Sequence, residues 1–317
     1  MNTTRIGVIE VGSRSVRYLV IDVPERLQDF ILVKNANAEH GVDPRQVEVR
    51  DIDKLNAVIE RLSTDLLTHS CDMTCVYGTA LCRLIEKEFP GRLSEKIHVL
   101  STEEEGKAAW ITGFLCQNEE SNRQPISVID LGNGSTEIVR GAWDGSGIVD
   151  LKTVSFPVGS SWLVDIYSKN EKKYTKFLQD ILSSVAKNLR QKGIEKSNDG
   201  VVYVAGGVVT KIAWQMVREN DTDLYRPEAV NGVIVKLDDL TDWFAKTSRD
   251  YKLSPLAVQK TIDPRRNTEK EALRTLSGGP YIWGLVTTVH AGETFLTTGY
   301  GLRHGIAFLL KNELIPH

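Results

Sequence analysis

Apolar and polar positions along the chain lay out strands and helices before any chemistry is considered. Residues 6–20 (IGVIEVGSRSVRYLV) read as a short apolar strand, a carboxylate, a glycine turn with hydroxyls, and a second strand, which is a β-hairpin pattern. Residues 126–140 (ISVIDLGNGSTEIVR) read the same way. Ile6, Val8, Ile9, Glu10, Gly12 and Ser15 fall opposite Ile126, Val128, Ile129, Asp130, Gly132 and Ser135 at a constant offset of 120 (126 − 6). A repeat this far apart predicts two domains of one design.

The rest of each half fits an α/β plan. Residues 30–34 (FILVK) read as a third strand, and from Ile52 the positions Leu55, Val58, Ile59, Leu62 and Leu66 follow a helical stripe. Residues 74–78 and 97–100 read as buried strands. Residues 103–116 read as a helix with Thr102 as N-cap and acidic residues in its first turn. The polar run 117–124 reads as a linker. Further on, the pattern predicts a helix over 173–192, a strand over 201–205 and a turn opening a helix over 206–214. It ends on a glycine turn and closing helix over 299–311. The polar segments 219–226 and 248–268 are left unassigned.

Composition narrows the class. A chain of 317 residues suits two domains better than one core, and 41% hydrophobic with 26% charged residues is a soluble globular balance. No stretch approaches the ~20 apolar residues of a membrane span. The N-terminal MNTTRIGVIEVGS has neither a basic n-region nor an apolar h-region, so a cytoplasmic location without a membrane partner is expected. A net charge of −3 argues against a nucleic-acid partner and makes any positive groups for an anionic ligand local. Cys71, Cys75, Cys82 and Cys116 have no partner spacing for zinc, and reduced thiols are expected. The histidines show no ligand spacing, and the scattered tryptophans read as core or interface.

The candidate chemistry sits in the loops. Gly132, Asn133, Gly134, Ser135 and Thr136 can offer backbone N–H groups and two hydroxyls to an anion, because glycine lets the backbone come close. Asp130 and Glu137 supply hard oxygens, which suit Mg²⁺ sharing its shell with phosphate. The plainer reading is a tight hairpin with a solvated carboxylate. Gly206 and Gly207 follow a strand and open a helix, an anion site or simply a turn. Glu103, Glu104 and Glu105 form an acidic first turn; one of them could serve as a general base, and the pattern does not choose which. Arg14, Arg17, Arg83, Lys107, Lys211 and Arg303 are nearby basic residues, and Arg83 stands apart because it follows a small-residue turn after a strand.

These motifs resemble the exopolyphosphatase / guanosine pentaphosphate phosphohydrolase (Ppx/GppA) family, within the actin-like ATPase superfamily. IEVGSRSVRYLV is similar to its first phosphate loop, usually DxGSNSxxL, and GTALCRLIEKEF to its T-x-A-x-R segment. VLSTEEEGKAAWITGF is similar to its segment ending in E-E-A, and VIDLGNGSTEIV to DxGGGSTEL. VAGGVVTKIAW is similar to its G-G-T-x-x-x-L-A loop, and YGLRHGIAFLL to its terminal G-L-R-x-G helix.

The resemblance implies an α/β chain of two actin-like (ribonuclease H-like) domains with an interdomain cleft. They would span 1–120, with the closing helix 303–317 packing back on this domain, and 121–302. It also implies a Mg²⁺-dependent hydrolase, with Mn²⁺ an alternative metal, that releases terminal orthophosphate from inorganic polyphosphate. Under it the catalytic residues are Glu105, as general base, and Arg83. Substrate binding falls on Gly12, Ser13, Arg14, Ser15, Gly132, Asn133, Gly134, Ser135, Thr136, Gly206 and Gly207, and metal binding on Asp130, Glu137 and Glu10.

A homodimer is also implied. Glu10, Arg14, Gly106, Asn133 and Val208 depart from the family's Asp, Asn, Ala, Gly and Thr. The alternatives are a guanosine pentaphosphate or tetraphosphate hydrolase, a catalytically weak or inactive phosphate-ligand sensor, and a kinase of the same superfamily.

Overall fold

The computed structural model describes residues 3–24, 30–43, 45–117, 124–198, 200–218, 225–262 and 268–315. The chain divides into two compact units, Met1–Ile111 with Leu302–His317, and Thr112–Gly301. The first begins with β1 (Thr4–Val11), β2 (Ser15–Val23) and β3 (Ile31–Glu39). It continues through α1 (Val49–Leu67), β4 (Met73–Gly78), α2 (Ala80–Glu88), β5 (Ile97–Val99) and α3 (Thr102–Phe114), which carries the chain into the second unit. There follow β6 (Ile126–Leu131), β7 (Thr136–Trp143), β8 (Ile148–Phe156), α4 (Ser160–Tyr167), α5 (Glu171–Gln191), β9 (Val201–Ala205) and α6 (Gly207–Val217). The second unit closes with β10 (Ile234–Lys236), α7 (Leu237–Leu253), α8 (Pro255–Ile262), α9 (Glu269–Val289) and β11 (Thr294–Thr298). The chain then returns to the first unit as α10 (Leu302–Lys311).

The sequence repeat is a repeat of topology. The first sheet has the order β3-β2-β1-β4-β5, and the second, β10-β11-β9-β6-β7-β8, is the same order read backwards with β10 added. β1 pairs antiparallel with β2 and parallel with β4, as β6 does with β7 and β9. Even the register irregularity recurs. It falls between Val20 and Ile21 in one hairpin and between Arg140 and Ala142 in the other. The extra residue lies on β3 in one copy and on β8 in the other, so those two strands bend alike.

In the first unit α1 buries Ile52, Leu55, Ile59, Leu62 and Leu66 against Ile9, Val11, Val16, Tyr18 and Val20. On the other face α10, buried from Leu302 to Leu310, packs on β1. A Cβ at Gly305 would stand 1.9 Å from Ala108 O, so α10 crosses α3 backbone to backbone. In the second unit Ile129, Leu131, Ile138, Val202 and Val204 share a core with α6 and α9.

Three expectations shift. The third strand runs on to Glu39, well past Lys34, because pairing with β2 carries it where its side chains are exposed and polar. The N-cap of α3 is Ser101, not Thr102. Ser101 Oγ accepts from Glu104 N (3.2 Å) while Glu104 Oε2 accepts from Ser101 N (2.8 Å), a reciprocal capping box. Much of 248–268 is helical, within α7 and α8. Residues 118–123 of the expected linker, 219–224 and 263–267 lie outside the described residues. Among the described residues no helix is long and apolar enough to cross a membrane.

Candidate active site

The two glycine turns are built alike. Gly12 N donates to Ser15 O (3.1 Å) and Gly132 N to Ser135 O (3.0 Å), closing each turn at the C-terminal end of a central strand. Such strand ends are where open α/β sheets take ligands. In each turn the carbonyls are tied to the scaffold. His40 Nε2 lies 3.0 Å from Gly12 O, and His40 N donates to Arg14 O at 3.4 Å. In the second turn Ser160 N donates to Gly132 O (2.9 Å) and Ser161 N to Asn133 O (3.0 Å). A trans peptide points its C=O and N–H in opposite directions. The amides of Ser13, Asn133 and Gly134 therefore point away from these clamps, as donors.

Gly159 makes the second clamp fit, because a Cβ there would stand 2.3 Å from Asn133 C. Ser160 Oγ also lies 3.1 Å from Asn133 Oδ1, which fixes the side chain that replaces the expected glycine. Thr136 is wholly buried and its hydroxyl donates to Val158 O (2.5 Å), so that hydroxyl belongs to the frame. Ser15 is buried and accepts from Arg17 Nε (3.1 Å). Arg14 forms an ion pair with Glu39 (3.0 Å).

The acidic run is sorted by burial. Glu103 is exposed and pairs with Lys107 at 3.6 Å, while Glu104 closes the capping box. Glu105 is only 5% exposed, with its Oε2 2.7 Å from Arg83 Nη1. That contact is a close ion pair, and Arg83 Nη1 also donates a hydrogen bond to Leu100 O (2.8 Å). Burial pushes the Glu105 carboxyl above the ordinary glutamate range; Arg83 pulls it down by less, and Glu10 adds repulsion. Glu10 itself lies 3.4 Å from Arg303 Nη1. Burial lowers the Arg303 pKa to about 10, against the pull of Glu10.

Asp130 and Glu137 are direct cross-strand partners, so both carboxylates share one face of the second sheet. Ser155 Oγ donates to Glu137 Oε1 at 2.9 Å. Like charges directly opposite are destabilising, and a divalent cation between them reverses the sign. Among the described residues no group of three or more His, Cys, Asp and Glu could hold a metal. Two carboxylates, with the remaining positions left to water and phosphate, nevertheless suit Mg²⁺.

Gly206 caps α6, and Gly207 is exposed with nothing within 4 Å of where a Cβ would stand. Val208 is turned into the core, against Gly278 of α9. Lys211 is buried beside Glu271 at 2.6 Å.

Within the first unit the fold brings Gly12, Ser13, Arg14, Ser15 and Glu10 to the end of β1, and pairs Glu105 with Arg83. Within the second, Asp130, Gly132, Asn133, Gly134, Ser135, Thr136 and Glu137 share one hairpin. Gly206 follows β9, which pairs with β6 beside that hairpin. His40, Ser155, Gly159, Ser160 and Ser161 escape a motif-based reading, because most of them act through backbone contacts that no spacing encodes.

The raised Glu105 value has a measurable consequence. Between the unfolded glutamate pKa, ~4.3, and the raised folded value, the folded state holds a proton that the unfolded state has lost. That contribution is present below the unfolded pKa and is lost as pH rises through the folded one. Glu105→Gln removes this dependence. The melting temperature of the variant minus that of the wild type is expected to increase with pH across this window. A difference that is flat or falls with pH contradicts a buried, proton-retaining Glu105.

No protein-family model and no curated protein sequence matches the chain. Solved structures do. A Ppx/GppA family member from Aquifex aeolicus superposes with a TM-score of 0.74 at 17% identity, over 99% of this chain and 100% of that one. An exopolyphosphatase from Cytophaga hutchinsonii superposes with a TM-score of 0.72 at 15% identity, over 99% of each. The repeated hairpin-led sheets with their paired helices therefore give this chain the fold of the Ppx/GppA proteins, of the actin-like α/β kind.

Proposed function

We propose that the chain is a member of the Ppx/GppA family and a phosphoanhydride hydrolase that releases terminal orthophosphate from inorganic polyphosphate. We assign phosphate binding to the Gly12–Ser15 loop of the first unit and the Gly132–Ser135 loop of the second. The observation that carries this reading is the burial of Glu105 beside Arg83, while Glu103 and Glu104 face outward or cap the helix. The shared fold and the six motifs support it.

In this reading the amides of Ser13, Asn133 and Gly134 donate to the phosphoryl oxygens, fixed in advance by their clamped carbonyls. Gly207, open at the head of α6, offers a further amide at a helix N-terminus. Glu105 takes the proton from the attacking water. A carboxyl raised toward the working pH is a better base than an ordinary one. As the water oxygen bonds to phosphorus, the bridging P–O bond breaks and the shortened polyphosphate leaves with the electron pair. Arg83, already beside Glu105, offsets charge on the phosphoryl oxygens. Asp130 and Glu137 would hold Mg²⁺, which when bound neutralises phosphate charge and orients the chain. Glu10, the third carboxylate of the proposed metal set, lies 3.4 Å from Arg303 Nη1, which would compete with a metal for it.

A second reading, a phosphate-ligand sensor with little turnover, is favoured by the engagement of Arg14 with Glu39 and of Glu10 with Arg303. The two readings separate on one pair of assays, orthophosphate release and calorimetric binding of tripolyphosphate with Mg²⁺. The hydrolase reading expects release by the wild type. It expects Glu105→Gln to lose about 10²- to 10⁴-fold in rate while its affinity stays unchanged. Undiminished release by the variant removes Glu105 from the mechanism, and tight binding without release by the wild type establishes the sensor.

For the metal, Asp130→Asn is expected to weaken Mn²⁺ binding, followed by electron paramagnetic resonance of the free ion, by at least about 10-fold. That is the scale at which metal-site polar changes act. Unchanged Mn²⁺ affinity places the metal elsewhere.

A further inference from the structure

The two turns are clamped by different means, and the difference points to a residue with no assigned role. In the second unit β8 leads directly into α4, whose first backbone N–H groups reach Gly132 O and Asn133 O. In the first unit β3 ends at Glu39, opposite Ser15, and the next helix begins only at Val49. Among the described residues no helix N-terminus follows the strand there. The matching carbonyl, Gly12 O, is met by a side chain, the imidazole of His40.

We propose that His40 is a positioning residue of the first phosphate loop: as a neutral imidazole protonated on Nε2, it holds the Gly12 carbonyl and thereby aims the Ser13 amide at the substrate. The inference rests on reading Gly12–Ser15 as a phosphate loop. The tautomer follows from geometry. Val42 N donates to His40 Nδ1 at 3.1 Å, so Nδ1 carries the lone pair and the proton lies on Nε2, 3.0 Å from Gly12 O. His40 is 6% exposed, which limits the competition of water for either bond. Its own amide donates to Arg14 O, so one residue takes up two loop carbonyls.

Neutrality has a cause. Burial pushes the His40 pKa down, opposed by smaller contributions from the Gly12 carbonyl and Glu39. Glu39 is itself held by Arg14 at 3.0 Å. An imidazole whose Nδ1 already accepts a backbone N–H is a rigid arm with a single free donor. It does in the first loop what the Ser160 N–H does in the second.

Two measurements on the full chain test this. The first is the tautomer of His40 in the wild type, read from long-range ¹H–¹⁵N correlations of the imidazole. The Nε2–H neutral form is expected, and an Nδ1–H or charged ring overturns the clamp. The second is calorimetric affinity for tripolyphosphate with Mg²⁺, alongside KM and kcat for orthophosphate release. His40→Leu keeps bulk and loses the donor; His40→Gln keeps an amide donor at similar reach.

The leucine variant is expected to bind about 2- to 10-fold more weakly, the scale of one hydrogen bond, with KM rising more than kcat falls, and glutamine is expected to recover most of the loss. Wild-type affinity in the leucine variant overturns the proposal. So does a loss confined to kcat, or one that glutamine does not recover while its melting temperature matches the wild type. If the leucine variant does not fold, the tautomer and the glutamine variant decide. Wild-type protein that fails to bind tripolyphosphate overturns the functional reading and, with it, the purpose given to His40. The tautomer still reports separately on the clamp.

Discussion

A peptide plane has two ends, and tying down its carbonyl aims its amide. That constraint organises both glycine turns of this chain. Gly12 O is held by His40, and Gly132 O and Asn133 O by the start of α4. The amides of Ser13, Asn133 and Gly134 are thereby set before any ligand arrives. Preorganised donors cost no reorientation during a reaction, which is what makes a backbone anion site effective. The glycines allow the close approach, but the carbonyl clamps give it direction. Gly159 shows the dependence most plainly, since the α4 clamp exists only because no Cβ separates that residue from Asn133.

Burial does for the acidic run what the clamps do for the turns. Three consecutive glutamates have the same chemistry in sequence and three different environments in space. Glu103 meets solvent and Lys107, Glu104 caps its own helix, and Glu105 is enclosed with Arg83. Desolvation raises the proton affinity of Glu105, and Arg83 keeps that rise in check. A carboxyl raised in this way holds its proton more firmly than a solvated carboxylate does.

α1 was legible in the sequence because it buries one face and so shows its period, as with Ile52, Leu55, Ile59, Leu62 and Leu66, while the repeated hairpins, buried on both faces, showed as apolar runs broken by a glycine turn. The second half of β3 was not, because Lys34–Glu39 are largely exposed and are held by backbone pairing with β2. α9 was hidden for the opposite reason. From Ala272 to Val289 it is buried on nearly every side, so it has no polar stripe to set a period, and Pro280 reads as a break. At the site, the glycines and carboxylates announced themselves through the repeat. The choice of Glu105 from its neighbours required the motif resemblance, and burial sets that residue apart from Glu103 and Glu104. His40 and the Ser160–Ser161 amides gave no signal, since a donor that serves a distant backbone carbonyl has no fixed spacing to its target.

Each clamped turn presents amides suited to phosphoryl oxygens. Amide chemical shifts on ¹⁵N-labelled protein, titrated with tripolyphosphate and Mg²⁺, test this most directly. The Ser13, Asn133 and Gly134 resonances are expected to move with saturable titration curves. Saturable shifts that fall on other parts of the chain and leave these three resonances in place would contradict the clamped turns as the phosphate sites.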